Sequence, residues 1–253
     1  LSMPLGTRTT LLGGVFFTDE QSSKRQIINA VDPATPQQIR GPLGDAAYPT
    51  EYREYAAFGS VNVQLTDRLD VELGGRFSEN EQSFTTIEPG TPGPKIETRE
   101  NSFTYLATPR LRLSPDLMAY ARLASGYRAG GPNQLRSYAE LALVPSSYEP
   151  DETDNFEIGL KGNLWGGAVS YDFSVYYIDW QDIQLQAMLE DPDGEQHSVT
   201  LNGSEARSRG VELSVQTQPW EGLRTDAWVA YNDAKLTRNF PSESLVLGAS
   251  GDG

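Results

Sequence analysis

The chain contains no cysteine. That removes disulfide scaffolds, thiolate metal sites and cysteine nucleophiles together. Its single histidine, His197, leaves no imidazole cluster for a metal and no Ser-His-Asp set. Nowhere do apolar residues run for the ~20 positions that a membrane helix needs, and helical periodicity is nearly absent. Basic residues are scarce: Lys+Arg 20 against Asp+Glu 35 gives a net charge of -15, the wrong sign for a nucleic-acid partner. Residues 1–6 show neither the basic start nor the apolar stretch of a signal peptide. The acidic clusters offer no chemistry. Asp191-Pro192-Asp193-Gly194-Glu195 opens like a calcium loop, but Asn202 stands where the closing bidentate carboxylate is needed. Asp151, Glu152 and Asp154 sit at a strand start beside a loop, a solvated position for a glycosidase pair. No enzyme, no metal and no cofactor is expected.

What the chain does have is a period of two. Residues 148–236 read as four long alternating segments. In one, which starts at Ala168 and continues less regularly to about Leu189, Val169, Tyr171, Phe173, Val175 and Tyr177 share a parity against Ser170, Asp172 and Ser174; in the segment before it, Phe156, Ile158, Leu160 and Leu164 oppose Asn155, Glu157, Lys161 and Asn163. In a third, Leu223, Ala227, Val229 and Tyr231 oppose Arg224, Asp226 and Trp228. Such alternation is that of a half-buried antiparallel strand. The pattern recurs upstream, with Ala57, Val61, Val63 and Leu65 on one strand and Val71, Leu73, Gly75 and Phe77 on the next. Tyr105, Ala107, Leu111 and Leu113 repeat it, and a first strand is expected over residues 8–18, with Thr10, Leu12, Gly14 and Phe16 as its face. In all, about nine strands are expected.

The connections alternate in length. Asp67-Arg68, Pro115-Asp116, Gly166-Gly167 and Glu221-Gly222 are tight, whereas residues 19–49, 89–94, 130–150 and 188–197 read as long polar loops. Short turns at one end and long loops at the other are the layout of an outer-membrane barrel, not of a sandwich. Mean hydropathy of -0.48 does not contradict this, because only every second residue of a barrel strand meets lipid. Trp165 and Trp220 beside the short turns, and Tyr177 and Trp180 toward the long-loop end, fit two aromatic belts. The chain opens just before a strand and closes in a glycine-rich stretch, so a piece of a longer protein is expected.

Three passages carry a family resemblance. Tyr120-Ala-Arg-Leu-Ala-Ser-Gly-Tyr-Arg-Ala-Gly-Gly131 resembles the YxxxSxGYRxGG segment of TonB-dependent outer-membrane receptors, with Ala124 where serine is usual. Tyr148-Glu-Pro-Asp-Glu-Thr-Asp-Asn-Phe-Glu-Ile-Gly-Leu-Lys161 is similar to their YxPExxxxxELGxK segment, with Asp151 and Ile158 as departures. Asn202-Gly-Ser-Glu-Ala-Arg-Ser-Arg-Gly-Val-Glu-Leu213 resembles NAGxAxxxGxEL, with Gly203-Ser204 where Ala-Gly is usual. They stand in family order and cover roughly residues 50–240.

The resemblance implies an all-β fold: an antiparallel meander of long strands, part of a roughly 22-stranded transmembrane β-barrel closed by a plug domain. Neither plug, coupling box nor closing strand lies in these residues, so residues 1–253 form one partial barrel domain. The resemblance further implies uptake of a scarce ligand across the bacterial outer membrane, a ferric siderophore foremost, driven by the TonB coupling protein through the plug. The partners are then outer-membrane lipid, TonB and a small iron chelate. Two alternatives remain open at this point: a passive porin-type barrel, and a soluble secreted β protein that binds carbohydrate. Ligand contacts are expected from the loops and upper lumen, with Tyr127, Arg128, Asn133, Tyr138, Tyr148 and Trp180 as candidates by chemistry. Glu157, Lys161, Glu212, Arg224 and Asp226, on the polar parity, either brace the wall by cross-strand pairs or are simply solvated.

Overall fold

The computed structural model describes residues 1–35, 37–89, 91–135, 144–190 and 196–238. Ten strands form one antiparallel meander: β1 (Ser2–Leu5), β2 (Thr9–Val31), β3 (Gln38–Gln64), β4 (Leu69–Glu88), β5 (Thr91–Ser114), β6 (Leu117–Arg128), β9 (Asp151–Leu164), β10 (Val169–Gln181), β13 (Ala206–Trp220) and β14 (Leu223–Leu236). Two small sheets sit apart from it, β7 (Gly131–Pro132) with β8 (Ser147–Tyr148), and β11 (Gln184–Glu190) with β12 (Gln196–Asn202). Among the described residues no helix is long and apolar enough to cross a membrane.

Cross-strand register sorts the side chains into two faces. On one face Val63 meets Val71, Val61 meets Leu73 and Ala57 meets Phe77; Phe77 then meets Phe103, and Leu73 meets Ala107. Farther along, Leu123 meets Phe156, Phe156 meets Tyr177, and Ile158 meets Val175. This apolar row has one height. Residues 9–17, 55–63, 69–77, 103–111, 156–164, 169–177 and 223–231 are each nine long and each ends, at the long-loop side, in Phe or Tyr. A tilted strand needs about 9–11 residues to span a bilayer. Two residues farther on the same face, charge takes over: Asp19, Arg53, Glu79, Asp154, Asp179 and Asp233. The apolar side chains stay exposed (Phe103 63%, Ile158 68%, Val229 62%), because no second layer covers them.

The opposite face is polar and cross-linked. Arg110 Nε donates to Asp70 at 2.6 Å, Arg76 Nη2 to Glu54 at 2.5 Å, and Lys161 Nζ to Asp172 at 2.6 Å, its register partner. Tyr120 Oη donates to Glu157 at 2.6 Å. Arg224 lies 3.5 Å from Asp226 on its own strand rather than across the sheet. The opposite-charge pairing expected of this parity is therefore seen for Lys161, with Asp172, whereas Glu157 is held by the neutral Tyr120 hydroxyl. Gly159 and Gly210 let it close up: a Cβ on Gly159 would lie 2.4 Å from the Tyr120 ring, and one on Gly210 2.7 Å from the Tyr176 hydroxyl.

Three expectations change. The first strand presents Leu11, Val15 and Phe17 to the apolar row, while Phe16 lies on the polar face with the Arg76 guanidinium 5.4 Å from its ring. Both parities of residues 10–17 are apolar, so alternation there decides nothing. Next, most of the stretches read as loops at 19–49 and 89–94 is strand, over residues 19–31, 38–49 and 91–94: β2 and β3 stay paired from Asp19↔Arg53 to Val31↔Gln38, and β4 and β5 to Glu88↔Thr91. Last, the segment from residue 168 does not continue to residue 189. β10 stops at Gln181, Asp182 has φ 52°, and β11 turns into a separate hairpin. The acidic run 191–195 lies outside the described residues.

Candidate functional site: the polar face above the apolar row

The backbone ladder between β5 and β6 stops at Leu106↔Ala124. β5 rises on to Thr91, whereas β6 ends at Arg128 and the chain folds back across the polar face of β4 and β5. Three hydrogen bonds seat it. Gly130 N donates to Glu100 Oε2 at 2.9 Å, Gln82 Nε2 donates to Gly130 O at 2.6 Å, and Thr86 Oγ1 donates to Leu135 O at 2.8 Å. A small apolar core completes the seat: Ile96 of β5, Leu135, Val144 and Val199 of β12, with Leu201 against them. The β11–β12 hairpin and residues 129–135 and 144–150 thus form one unit that leans over the inner wall.

Tyr127 reaches the wall. Its hydroxyl lies 2.6 Å from Ser78 Oγ and accepts from Asn80 Nδ2 at 3.2 Å, and Ser78 in turn meets Ser102 at 3.0 Å. Tyr52 donates to Asn80 Oδ1 at 2.9 Å and lies 3.2 Å from Glu54. Burial, with the Glu54 carboxylate second, pushes the Tyr52 hydroxyl up to about 12, so it stays protonated as a donor. A chain of hydrogen bonds therefore joins β3, β4, β5 and β6.

Arg128 and Trp180 come together, with the guanidinium 5.7 Å from the indole ring. Arg128 also donates to Asp151, whose side chain is 3% exposed, and to Gln184 O at 3.1 Å. Gln184 completes the joint: its backbone N–H donates to Asp151, and its Nε2 to the carbonyls of Ala129 and Glu149. Trp180 Nε1 is buried with no hydrogen-bond partner among the described residues. Tyr148 pairs with Gly131, and burial raises its hydroxyl pKa, with Glu100 adding to the shift.

Asn133, 2% exposed, works as a clasp. Nδ2 donates to Pro145 O and Thr200 O, both at 3.0 Å, and Oδ1 accepts from Thr200 N at 2.7 Å. Asn202 holds Glu149 in the same two-way fashion, N–H to Oδ1 at 2.7 Å and Nδ2 to carbonyl at 2.8 Å. Asn133→Asp would turn an oxygen toward two carbonyls. It is expected to weaken the clasp by about 1–3 kcal/mol, read as faster proteolytic cutting within residues 129–150 while the barrel stays folded. Of the six residues read from sequence, Tyr127, Arg128, Asn133, Tyr148 and Trp180 gather in this unit, and Tyr138 lies outside the described residues. Gln184 and Glu100 went unread, since a lone amide or acid in a polar stretch has no pattern; Asp151, expected to be solvated, is instead buried against Arg128, and Asn202, the failed calcium-loop position, holds Glu149 instead.

Glu100 gives the unit a pH dependence. Burial raises its carboxyl pKa and Glu149 adds to the shift, while the Gly130 N–H opposes it. A raised carboxyl pKa means that ionisation costs stability. The seat is firmest at low pH and loosens as pH rises from the ordinary carboxylate range through the raised value. Glu100→Gln should leave protection of residues 129–135 flat with pH, as measured by amide exchange.

The comparisons with known proteins agree with this geometry. The family model described as TonB dependent receptor-like, beta-barrel matches residues 1–250. The chain belongs to that family. Its members are bacterial outer-membrane receptors and transporters rather than enzymes. Among curated relatives, the ferric-pyoverdine M114 receptor PbuA of Pseudomonas sp. (strain M114) is 23% identical over 188 residues, 73% of this chain and 21% of that protein. The metal-pseudopaline receptor CntO of Pseudomonas aeruginosa PAO1 is 24% identical over 207 residues, 78% of this chain and 27% of its own length. Among solved structures, the ferric yersiniabactin uptake receptor FyuA from Yersinia pestis matches with TM-score 0.71 at 18% identity, over 93% of this chain and 34% of that one. The siderophore receptor PiuA from Acinetobacter baumannii matches with TM-score 0.69 at 16% identity, over 94% and 37%. These likenesses carry the fold, and this TonB-dependent receptor chain spans between 21% and 37% of these four proteins. In barrels of this family the apolar face of each strand meets lipid and the polar face lines the lumen.

Proposed function

We propose that this chain is the part of a TonB-dependent receptor that holds a small iron chelate above the membrane before import. The observation that carries the reading is the unit folded across the lumen face above the apolar row. It presents Tyr127, Arg128, Tyr148 and Trp180 at the rim of a wet interior whose wall carries Tyr52, Ser78 and Asn80. Half-exposed Arg128 beside an aromatic plane suits an anionic or catecholic chelate. Asn133 serves the site by locking its scaffold. Relatives named for ferric pyoverdine, metal-pseudopaline and ferric yersiniabactin support a siderophore as the ligand class. Energy comes from TonB acting on the plug domain of the receptor, and we assign the chain no catalysis. Uptake of radioiron chelates by cells with the full-length receptor tests the proposal. Accumulation should need both the receptor and TonB, and should fall in Trp180→Ala. Accumulation that persists without TonB would mark a passive barrel instead.

A further inference from the structure

The ring of charge just above the apolar row is uneven. On β2–β5 each arginine of the ring meets carboxylate: Arg53 with Asp19 at 2.9 Å, and Arg99 with Glu79 at 2.6 Å and Glu81 at 3.6 Å. On β10, β13 and β14 the ratio reverses. One register row sets Asp179, Arg207 and Lys235 side by side, and the next row toward the membrane sets Tyr177, Arg209 and Asp233. Asp233 serves two cations, Arg209 at 3.0 Å and Lys235 at 3.5 Å. Asp179 accepts instead from Gln181 Nε2 at 3.2 Å. Arg207 makes no ion pair among the described residues, and its Nε is buried without a hydrogen-bond partner. An unneutralised guanidinium on a chain of net charge -15 calls for an anion from outside.

We propose that Arg207, Arg209 and Lys235 bind the phosphate of an outer-leaflet lipid headgroup. Their height argues for lipid. Arg209 is level with Tyr177, the last aromatic of its nine-residue row, and Arg207 and Lys235 are one step higher. Cations at that level have their stems against hydrocarbon and their heads among headgroups. Their direction argues for it too. Arg207 and Arg209 share the parity of Val211, which pairs with Val175 of the lipid-facing row. A further strand added beyond β14 would use in-plane backbone groups and leave this face outward. Their geometry suits phosphate, since two guanidiniums offer forked donors and the ammonium a point charge. The acid-rich ring over β2–β5 repels anions, so the lipid is held at one place on the circumference.

Native mass spectrometry of the full-length receptor, titrated in mild detergent with lipid A and separately with lipid A stripped of its phosphates, tests this. The receptor should retain phosphorylated lipid A selectively. Arg207→Gln with Lys235→Gln should reduce retention roughly tenfold or more, Arg207→Lys should recover part of it, and Arg53→Gln should change nothing. Heat-modifiable migration on gels confirms that each variant is folded. Equal retention by the double variant, or equal binding of the stripped lipid, would overturn the proposal. Displacement by millimolar inorganic phosphate would overturn the lipid assignment in favour of a free anion.

Discussion

Leu73→Arg in the full-length receptor is expected to lower barrel stability by about 2–4 kcal/mol, the cost of an arginine on the lipid face at the bilayer midplane. Leu73 is the middle residue of the nine-residue row 69–77, opposite Val61 and Ala107. Its neighbour Glu72 faces the lumen, where Arg110 lies 3.4 Å away. The matched control, Asn62→Arg, places the same side chain opposite Glu72 on the lumen face and should cost less than 1 kcal/mol. Urea titration of the refolded receptor in lipid vesicles measures both. A large loss for one and little for the other is the signature of a wall with one greasy side. Similar losses would mean that the two faces share one environment.

Arg128→Ala is expected to release the unit that leans over the lumen. Asp151 is buried and holds Arg128 and the Gln184 N–H; without the guanidinium its charge keeps a single donor. Breaking a buried pair from one side costs roughly 3–5 kcal/mol. The lower figure applies here, because the Arg128 side chain is itself half exposed. About 3 kcal/mol corresponds to amide exchange faster by on the order of a hundredfold. The change should be confined to residues 129–135, 144–150 and 184–202, with the nine-residue rows unaffected. Arg128→Lys should recover only part of the protection, since an ammonium cannot donate as a fork to both Asp151 and Gln184. An exchange pattern unchanged by Arg128→Ala would show that the apolar seat of Ile96, Leu135 and Val199 suffices alone.

The parts of the fold that sequence reveals are those where the two faces meet different solvents. Between Leu69 and Phe77 residue type alternates between the apolar and the polar face, and the strand is plain. Above Glu79 both faces are wet. Residues 19–31 then lose any period, although backbone pairing continues through Arg25, whose guanidinium holds Asp45 at 2.7 and 2.8 Å. That is why long paired strands read as loops. The first strand failed differently, since Leu12 and Phe16 are apolar on the lumen side and hide its phase.

The candidate site was legible only through residues with a visible character. Tyr127, Arg128, Tyr148 and Trp180 stand out by chemistry, and the structure brings them into one unit. Gln184 and Asn202 hold that unit together through carbonyl and amide groups more than fifty residues earlier in the chain, at Ala129 and Glu149. No local spacing encodes such a contact. The break at Asp182 was likewise unmarked, because a non-glycine residue at positive φ leaves no signature in composition.

Spin labels placed one at a time from residue 69 to residue 82 of β4, in the full-length receptor in lipid bilayers, put the whole arrangement to its most direct test. Odd positions from 69 to 77 should collide with dissolved oxygen and be shielded from a water-soluble nickel chelate, even positions should do the reverse, and the oxygen signal should end at Glu79. Odd positions accessible to the nickel chelate, or an oxygen signal that runs on past Glu79, would contradict it.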